Sequence, residues 1–105
     1  EQVIINIINN AKDALIEKEP NSSWIKVDLK KNTTHILISI EDNGGGISQE
    51  ILPYIFDEYF TTKNESHGTG LGLYMSRQII RNSLHGNLYA HNTQNGARFV
   101  IELPL

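Results

Sequence analysis

The chain has 105 residues, no cysteine and a formal net charge of −3, with 39% hydrophobic and 20% charged residues. This composition is ordinary for one globular domain, 1–105, and it excludes a disulfide framework and a cysteine-ligated zinc site. The acidic balance disfavours nucleic acid and an acidic membrane surface as partners, and no apolar run reaches the length of a membrane span. The chain begins inside an apolar-periodic segment without a start methionine, so we expect it to be part of a longer protein.

The first predicted element is a helix over 2–18. Apolar residues recur at helical spacing in "QVIINIINNAKDALIEK", among them Val3, Ile7 and Ala11. The polar run Pro-Asn-Ser-Ser at 20–23 breaks this pattern and predicts a loop.

Two strands, 24–31 and 35–42, are predicted next. "WIKVDLKK" and "HILISIED" both alternate apolar with polar residues, as half-buried strands do. Only Asn-Thr-Thr separates them. We therefore expect an antiparallel hairpin with one face packed on a core.

The rest of the chain repeats the order of helix and hairpin. Its predicted elements are a short helical turn (49–56), a polar loop (57–69), a helix (70–84) and two alternating strands (87–92 and 97–105). Gly86 is predicted to stop the helix, and Asn95-Gly96 is a hairpin signal between the strands. The predicted fold class is α+β: a two-layer sandwich in which a mixed, mostly antiparallel sheet packs on helices.

Asparagines on the first helix form one candidate site. Asn6 and Asn10 lie one turn apart at the edge of the apolar face, and Asp13 continues that stripe. Exposed asparagines in a helix are usually only solvated. An amide oxygen is also a suitable ligand for Mg²⁺, so a metal site in a cleft is the alternative interpretation.

Asp42 ends the second predicted strand and is followed by "NGGG". A carboxylate in a cleft can accept a hydrogen bond from the exocyclic amine of adenine, and glycines let a flat base approach the backbone. An ordinary turn after a strand explains the same residues equally well.

The second glycine cluster, "GTGLGL", stands where a helix is predicted to begin. Gly68, Thr69 and Gly70 would offer backbone N–H groups near the positive end of that helix, where phosphate is stabilised. The spacing matches neither the dinucleotide fingerprint nor a P-loop.

"IFDEYFTTK" lies between the two glycine clusters. Phe56 and Phe60 are four residues apart, a spacing that more often marks core than recognition. Lys63 either reaches phosphate as a point charge or is a solvated loop lysine.

In order along the chain, these motifs resemble the catalytic ATP-binding domain of sensor histidine kinases. These domains belong to a superfamily that also includes the type II topoisomerase, heat-shock chaperone and mismatch-repair ATPases. "NIINNA" is similar to the N box, "DNGGGI" to the G1 box, "IFDEYF" to the F box, "GTGLGL" to the G2 box, and "GARFVIELP" to the closing strand. "FTTK" and "NAKDA" resemble the nitrogen-sensor-like members.

The resemblance implies ATP and Mg²⁺ as cofactors. It assigns Mg²⁺ coordination to Asn10 with help from Asn6, the adenine amine to Asp42, and the ATP lid to 56–67. The ATP-binding residues that it implies are Asn6, Asn10, Asp13, Asp42, Gly44, Gly46, Ile47, Phe60, Lys63, Gly68, Thr69, Gly70, Leu71 and Gly72.

One position sorts the superfamily by reaction. The ATPase branches typically carry a glutamate four residues before the magnesium asparagine, where it can deprotonate water. Asn6 stands there in this chain and cannot act as a base. The resemblance therefore implies an ATP whose γ-phosphate is transferred to histidine.

The phosphoacceptor histidine is expected on an upstream dimerisation domain, because neither His67 nor His85 lies on a predicted helical hairpin. A response regulator is the other expected partner, and no nucleic acid is expected to bind. The domain is expected to be cytoplasmic and mainly monomeric, without direct membrane contact, whether or not its parent protein is membrane-anchored.

Three rival functions are an ATPase module that uses ATP as a conformational switch, a kinase for serine on an antagonist protein, and a docking module that binds no nucleotide. The chain departs from the family pattern at three positions, of which the first two favour the docking module and the third is interpreted as structural only. Asp13 replaces a frequent lysine, Ala97 replaces the threonine of a Gly-Thr pair, and Asn87 replaces the second glycine of His-Gly-Gly.

Overall fold

The computed structural model describes residues 2–18, 22–57 and 72–105. Their elements are the helix α1 (Gln2–Lys18), the strands β1 (Ile25–Lys31) and β2 (His35–Asp42), a 3-10 turn (Leu52–Tyr54), the helix α2 (Gly72–Ser83), and the strands β3 (Asn87–Asn92) and β4 (Ala97–Pro104). The four strands form one sheet in the order β1-β2-β4-β3, and all three pairings are antiparallel. The predicted two-layer α+β sandwich is confirmed, since both helices contribute to one core with this sheet.

The core lies between the helices and one face of the sheet. The register places Ile40 of β2 opposite Phe99 of β4, and both are buried. Val3 and Ile7 of α1 join the same cluster from the helix layer. Alternate strand residues and one helix stripe thus meet, as the two periodicities predict. Neither helix in the described ranges is long and apolar enough to cross a membrane.

The first strand departs from the predicted pattern. Val27 and Leu29 point to the same face as Ile40, yet they are 57% and 66% exposed. The prediction that this face of the hairpin packs on a core is therefore wrong at these two positions. β1 is an edge strand, whereas α1 contributes its buried residues to the cluster around β2 and β4.

The end of α2 involves Gly86 as predicted, since its N–H donates to the carbonyl oxygen of Ile80 at 2.9 Å and closes the last turn, but another residue takes the left-handed conformation. The left-handed residue is His85, with φ of 56°, and Gly86 has no positive φ. Gly86 is needed for space, because a Cβ there would lie 2.1 Å from the carbonyl oxygen of Glu102 on β4. The following strand can therefore lie directly against β4.

Candidate functional site

Asp42 lies at the end of β2 and is only 3% exposed. Its Oδ1 atom accepts a hydrogen bond of 2.8 Å from the backbone N–H of Gly44. Burial raises the pKa of the Asp42 carboxyl, while hydrogen bonds from the backbone of Gly44 and Ala97 act against that rise. The carboxyl is thus desolvated and fixed in position, as a group that recognises one small polar atom needs to be.

Glycines bring the backbone close to this carboxyl from two sides. Gly45 and Gly46 have φ of 91° and 85°, a conformation that side chains disfavour. Gly96, directly before β4, has no room for a side chain, since its Cβ would lie 2.3 Å from the Asp42 carbonyl oxygen and 2.9 Å from Oδ1. We call Asp42, Gly44, Gly46 and Gly96 the sheet-end group.

The predicted asparagines lie where α1 contacts α2. The amide nitrogen of Asn6 is 3.1 Å from Ser76 Oγ and 3.5 Å from the carbonyl oxygen of Gly72. The amide nitrogen of Asn10 donates to the carbonyl oxygen of Asn6 at 3.0 Å. We call Asn6, Asn10, Gly72 and Ser76 the helix-contact group.

Among the described residues, the helix-contact group has an amide oxygen without a hydrogen bond and an unfilled position at a glycine. The Asn10 side chain makes its hydrogen bond through the amide nitrogen, and within the described ranges its Oδ1 atom accepts none. A Cβ on Gly72 would meet no atom of the described residues within 4 Å. Gly72 begins α2, where backbone N–H groups and the helix dipole favour an anion.

The structure therefore gathers the predicted residues into two groups, one at the sheet end and one between the helices. Ile47 belongs with the first, since its backbone follows Gly46. Several predicted residues, together with most of the predicted lid, lie outside the described ranges: Phe60, Lys63, Gly68, Thr69, Gly70 and Leu71. The side chain of Asp13 is likewise outside the description.

Phe56 is half-buried and packs against the core. Its ring meets that of Phe99 edge to face, with centroids 6.2 Å apart. The guanidinium of Arg77 lies 4.9 Å from the centre of the Phe56 ring. The interpretation of this aromatic as core, favoured by its spacing, is confirmed.

Sequence reasoning missed the polar residues that surround the sheet-end group. Asn92, the last residue of β3, bonds the backbone of Ile47 through both atoms of its amide. Glu41 bonds Thr93 and Arg98 on the opposite face of the sheet. No local pattern marks these residues, because strand register brings them together from segments about fifty residues apart.

Comparison with known proteins identifies the family. The profile described as histidine kinase-, DNA gyrase B-, and HSP90-like ATPase matches residues 1–105. The chain belongs to this family.

Similar proteins are named as sensor kinases. The two-component sensor PprA of Pseudomonas aeruginosa is 44% identical over 109 residues, which cover 100% of this chain and 12% of that protein. The sensor histidine kinase GlnK of Bacillus subtilis is 34% identical, with 98% of this chain and 26% of that protein covered. The chain thus spans only a small part of the length of these relatives.

A solved structure agrees in fold. The nucleotide-free catalytic domain of histidine kinase ThkA superposes with a TM-score of 0.80 at 36% identity, covering 98% of this chain and 65% of that one. The resemblance to histidine kinase catalytic domains, stated from the motifs, is confirmed. The "nitrogen-sensor-like" refinement is a minor part of that resemblance.

Proposed function

We propose that this chain binds Mg²⁺-ATP and presents the γ-phosphate to a histidine on a separate helical domain of its parent protein. The observation that carries the proposal is the buried Asp42 carboxyl, walled by glycine backbone at the end of β2. Membership in an ATP-binding family supports it. The two groups of site residues then correspond to the two ends of one nucleotide.

At the sheet end, Asp42 accepts a hydrogen bond from the exocyclic amine of adenine. The backbone at Gly44 and Gly46 gives the flat base room, and Ile47 lines its face. A buried acceptor of this kind rejects a base without the amine, because the carboxylate would then lose both water and partner.

At the helix contact, Asn10 offers Oδ1 to Mg²⁺ and Asn6 lies beside it. The residues fit this ion, since Mg²⁺ prefers oxygen ligands and the described structure leaves that amide oxygen unbonded. The bound ion would neutralise charge on the phosphates. The first turn of α2 at Gly72 would receive phosphate oxygens. Roles for Asp13, Phe60, Lys63 and 68–71 stay predictions.

The reaction assigned to this site is transfer to protein. Asn6 occupies the place where an ATPase needs a carboxylate base, and an amide does not deprotonate water. An imidazole nitrogen of the acceptor histidine would attack the γ-phosphorus. The bond between that phosphorus and the bridging oxygen would break, and ADP would leave. The acceptor domain, a response regulator and a cytoplasmic location belong to the same proposal, which the sensor-kinase names of the relatives support.

The test mixes the chain with Mg²⁺, γ-labelled ATP and the helical hairpin of its parent. We expect acid-labile, base-stable label on the hairpin, and much less of it at limiting ATP when the Asp42→Asn variant replaces the wild-type chain. Label that stays on the chain, or its complete absence with a hairpin that a related kinase can phosphorylate, contradicts the proposal.

An ATPase switch is the alternative function. It requires steady release of phosphate by the chain alone, and Asn6 is the feature against it. Measurement of phosphate release with and without the hairpin separates the two functions, since only the switch turns over alone.

A further inference from the structure

The last residue of β3 and the turn that follows it contact the sheet-end group and the adjoining Ile47 from both faces of the sheet. On the helix side, the Asn92 amide nitrogen donates to the Ile47 carbonyl oxygen at 2.7 Å. The Asn92 Oδ1 atom accepts from the Ile47 N–H, also at 2.7 Å. Two bonds to the backbone of one residue fix both its position and its orientation.

These two bonds from Asn92 determine where the glycine-rich loop 43–47 lies. A Cβ on Gly46 would be 2.9 Å from Asn92 Oδ1 and 3.4 Å from the carbonyl oxygen of Gly96. The loop therefore rests directly on the side chain of Asn92 and on the backbone of Gly96. Because the loop has two consecutive glycines with positive φ, its own backbone preferences restrict it little. Asn92 supplies the restriction.

On the opposite face, Thr93 performs the same task for Gly96. Its hydroxyl donates to Glu41 Oε2 at 2.9 Å and accepts from the Gly96 N–H at 3.0 Å. Glu41 is buried, and its Oε1 atom accepts from Arg98 Nη2 at 2.8 Å. Gly96 is thereby held against Asp42, where no Cβ would fit.

We infer that Asn92 and Thr93 are positioning residues for recognition of the base. Asn92 holds the backbone of Gly46 and Ile47 in place, and Thr93 holds that of Gly96. The space that the Asp42 carboxyl faces therefore keeps one shape. The inference rests on the proposed function, since it needs a nucleotide whose base meets Asp42. It assigns selectivity for the exocyclic amine to residues that do not touch that amine.

The physical reason is that selectivity by one hydrogen bond depends on a fixed acceptor. If the walls loosen, water reaches the carboxyl and replaces the amine at little cost, so the preference for adenine shrinks. General contacts of the purine ring change less, because they do not depend on the direction of one bond.

The test compares ATP with the triphosphate of unsubstituted purine riboside, which lacks only the amine. Calorimetry gives the affinity ratio of the two ligands for the wild-type chain, Asn92→Ala and Thr93→Val. We expect both variants to lose about tenfold in ATP affinity, with less than about twofold loss for the amine-free ligand. Equal losses for both ligands, or an unchanged ratio, overturn the inference.

Two controls separate positioning from folding. Thr93→Ser keeps the hydroxyl and is expected to restore the ratio. Asn87→Ala removes a matched asparagine from the other end of β3, where it bonds Arg81, and is expected to leave the ratio unchanged. If Asn92→Ala fails to fold, the Thr93 pair decides the question. Absence of ATP binding by the wild-type chain overturns the proposed function itself, and the inference with it.

Discussion

The sheet-end group and the helix-contact group differ in how their polar atoms are bonded before a nucleotide binds. Asp42 receives backbone hydrogen bonds, and Gly96 is packed against it without space for a methyl group. At the helix contact, Asn10 keeps an amide oxygen without a hydrogen bond in the described ranges, and no described residue would contact a Cβ on Gly72. The first group is thus held in place by hydrogen bonds and packing, whereas the second is where we propose that metal and phosphate bind.

The largest expected effect tests this difference with one substitution at two glycines. Gly96→Ala places a Cβ against the backbone of Asp42 and is expected to lower the free energy of unfolding by at least about 1–3 kcal/mol. The Cβ of Gly72→Ala meets no atom of the described residues, and the position lies in a helix, so the variant is expected to be neutral or stabilising by about 0.4–1 kcal/mol. Denaturant unfolding measures the free energy of unfolding of both variants. Similar values for the two would contradict the difference between the two groups.

Asp42→Asn is the next largest effect and concerns binding. The variant replaces a charged acceptor by an amide whose orientation is ambiguous, so ATP affinity is expected to fall by about 10- to 100-fold, from a bond to a charged group worth about 1.5–3 kcal/mol. Stability is expected to change little, because burial of the charge is itself costly. Titration calorimetry that shows unchanged affinity would disprove the adenine assignment.

Asn10→Ala sharpens the comparison from the other group. Removal of the amide oxygen is expected to abolish most of the gain in ATP affinity that Mg²⁺ gives, while binding in the presence of a chelator stays close to that of the wild type. Asn9→Ala is the matched control, since Asn9 is exposed on the same helix. A full response to Mg²⁺ in the Asn10 variant would exclude this residue as a ligand.

The smallest effect is a dependence on pH. Burial raises the pKa of Asp42, so acidification protonates this carboxyl, and weakens ATP binding, at a higher pH than for an ordinary aspartate. The hydrogen bond from Arg98 lowers the pKa of Glu41, so the stability that Glu41 contributes is fully present above the ordinary glutamate pKa and is lost as pH falls from there through the lowered pKa. Calorimetry over an acid series is expected to show ATP affinity falling at a higher pH than an ordinary aspartate would give, and denaturant unfolding over the same series measures the contribution of Glu41.

The sequence predicted the elements well because each carries a local pattern. The alternation in "HILISIED" identified β2, and the helical spacing of Val3 and Ile7 identified α1. The position of Asp42 at a strand end before glycines also follows from neighbours in the chain. Such features need no knowledge of which strand lies beside which.

The features that were missed or wrong depend on distant pairing. Asn92 meets Ile47, and Thr93 meets Glu41, only because β4 lies between β2 and β3. Exposure of Val27 and Leu29 follows from the place of β1 at the sheet edge, which its own alternation does not reveal. Sequence patterns predict which residues share a face of a helix or strand. The order of the strands in the sheet decides which of those faces are buried.

The exposed edge strand has a consequence for the behaviour of this chain in solution. An uncovered strand with Val27 and Leu29 exposed is a template for aggregation, and natural proteins commonly protect such edges with lysine. β1 carries Lys26, Lys30 and Lys31, all exposed, so two copies that approach edge to edge bring like charges together. Since salt screens this repulsion, the chain is expected to stay dispersed at low ionic strength and to associate as salt is added.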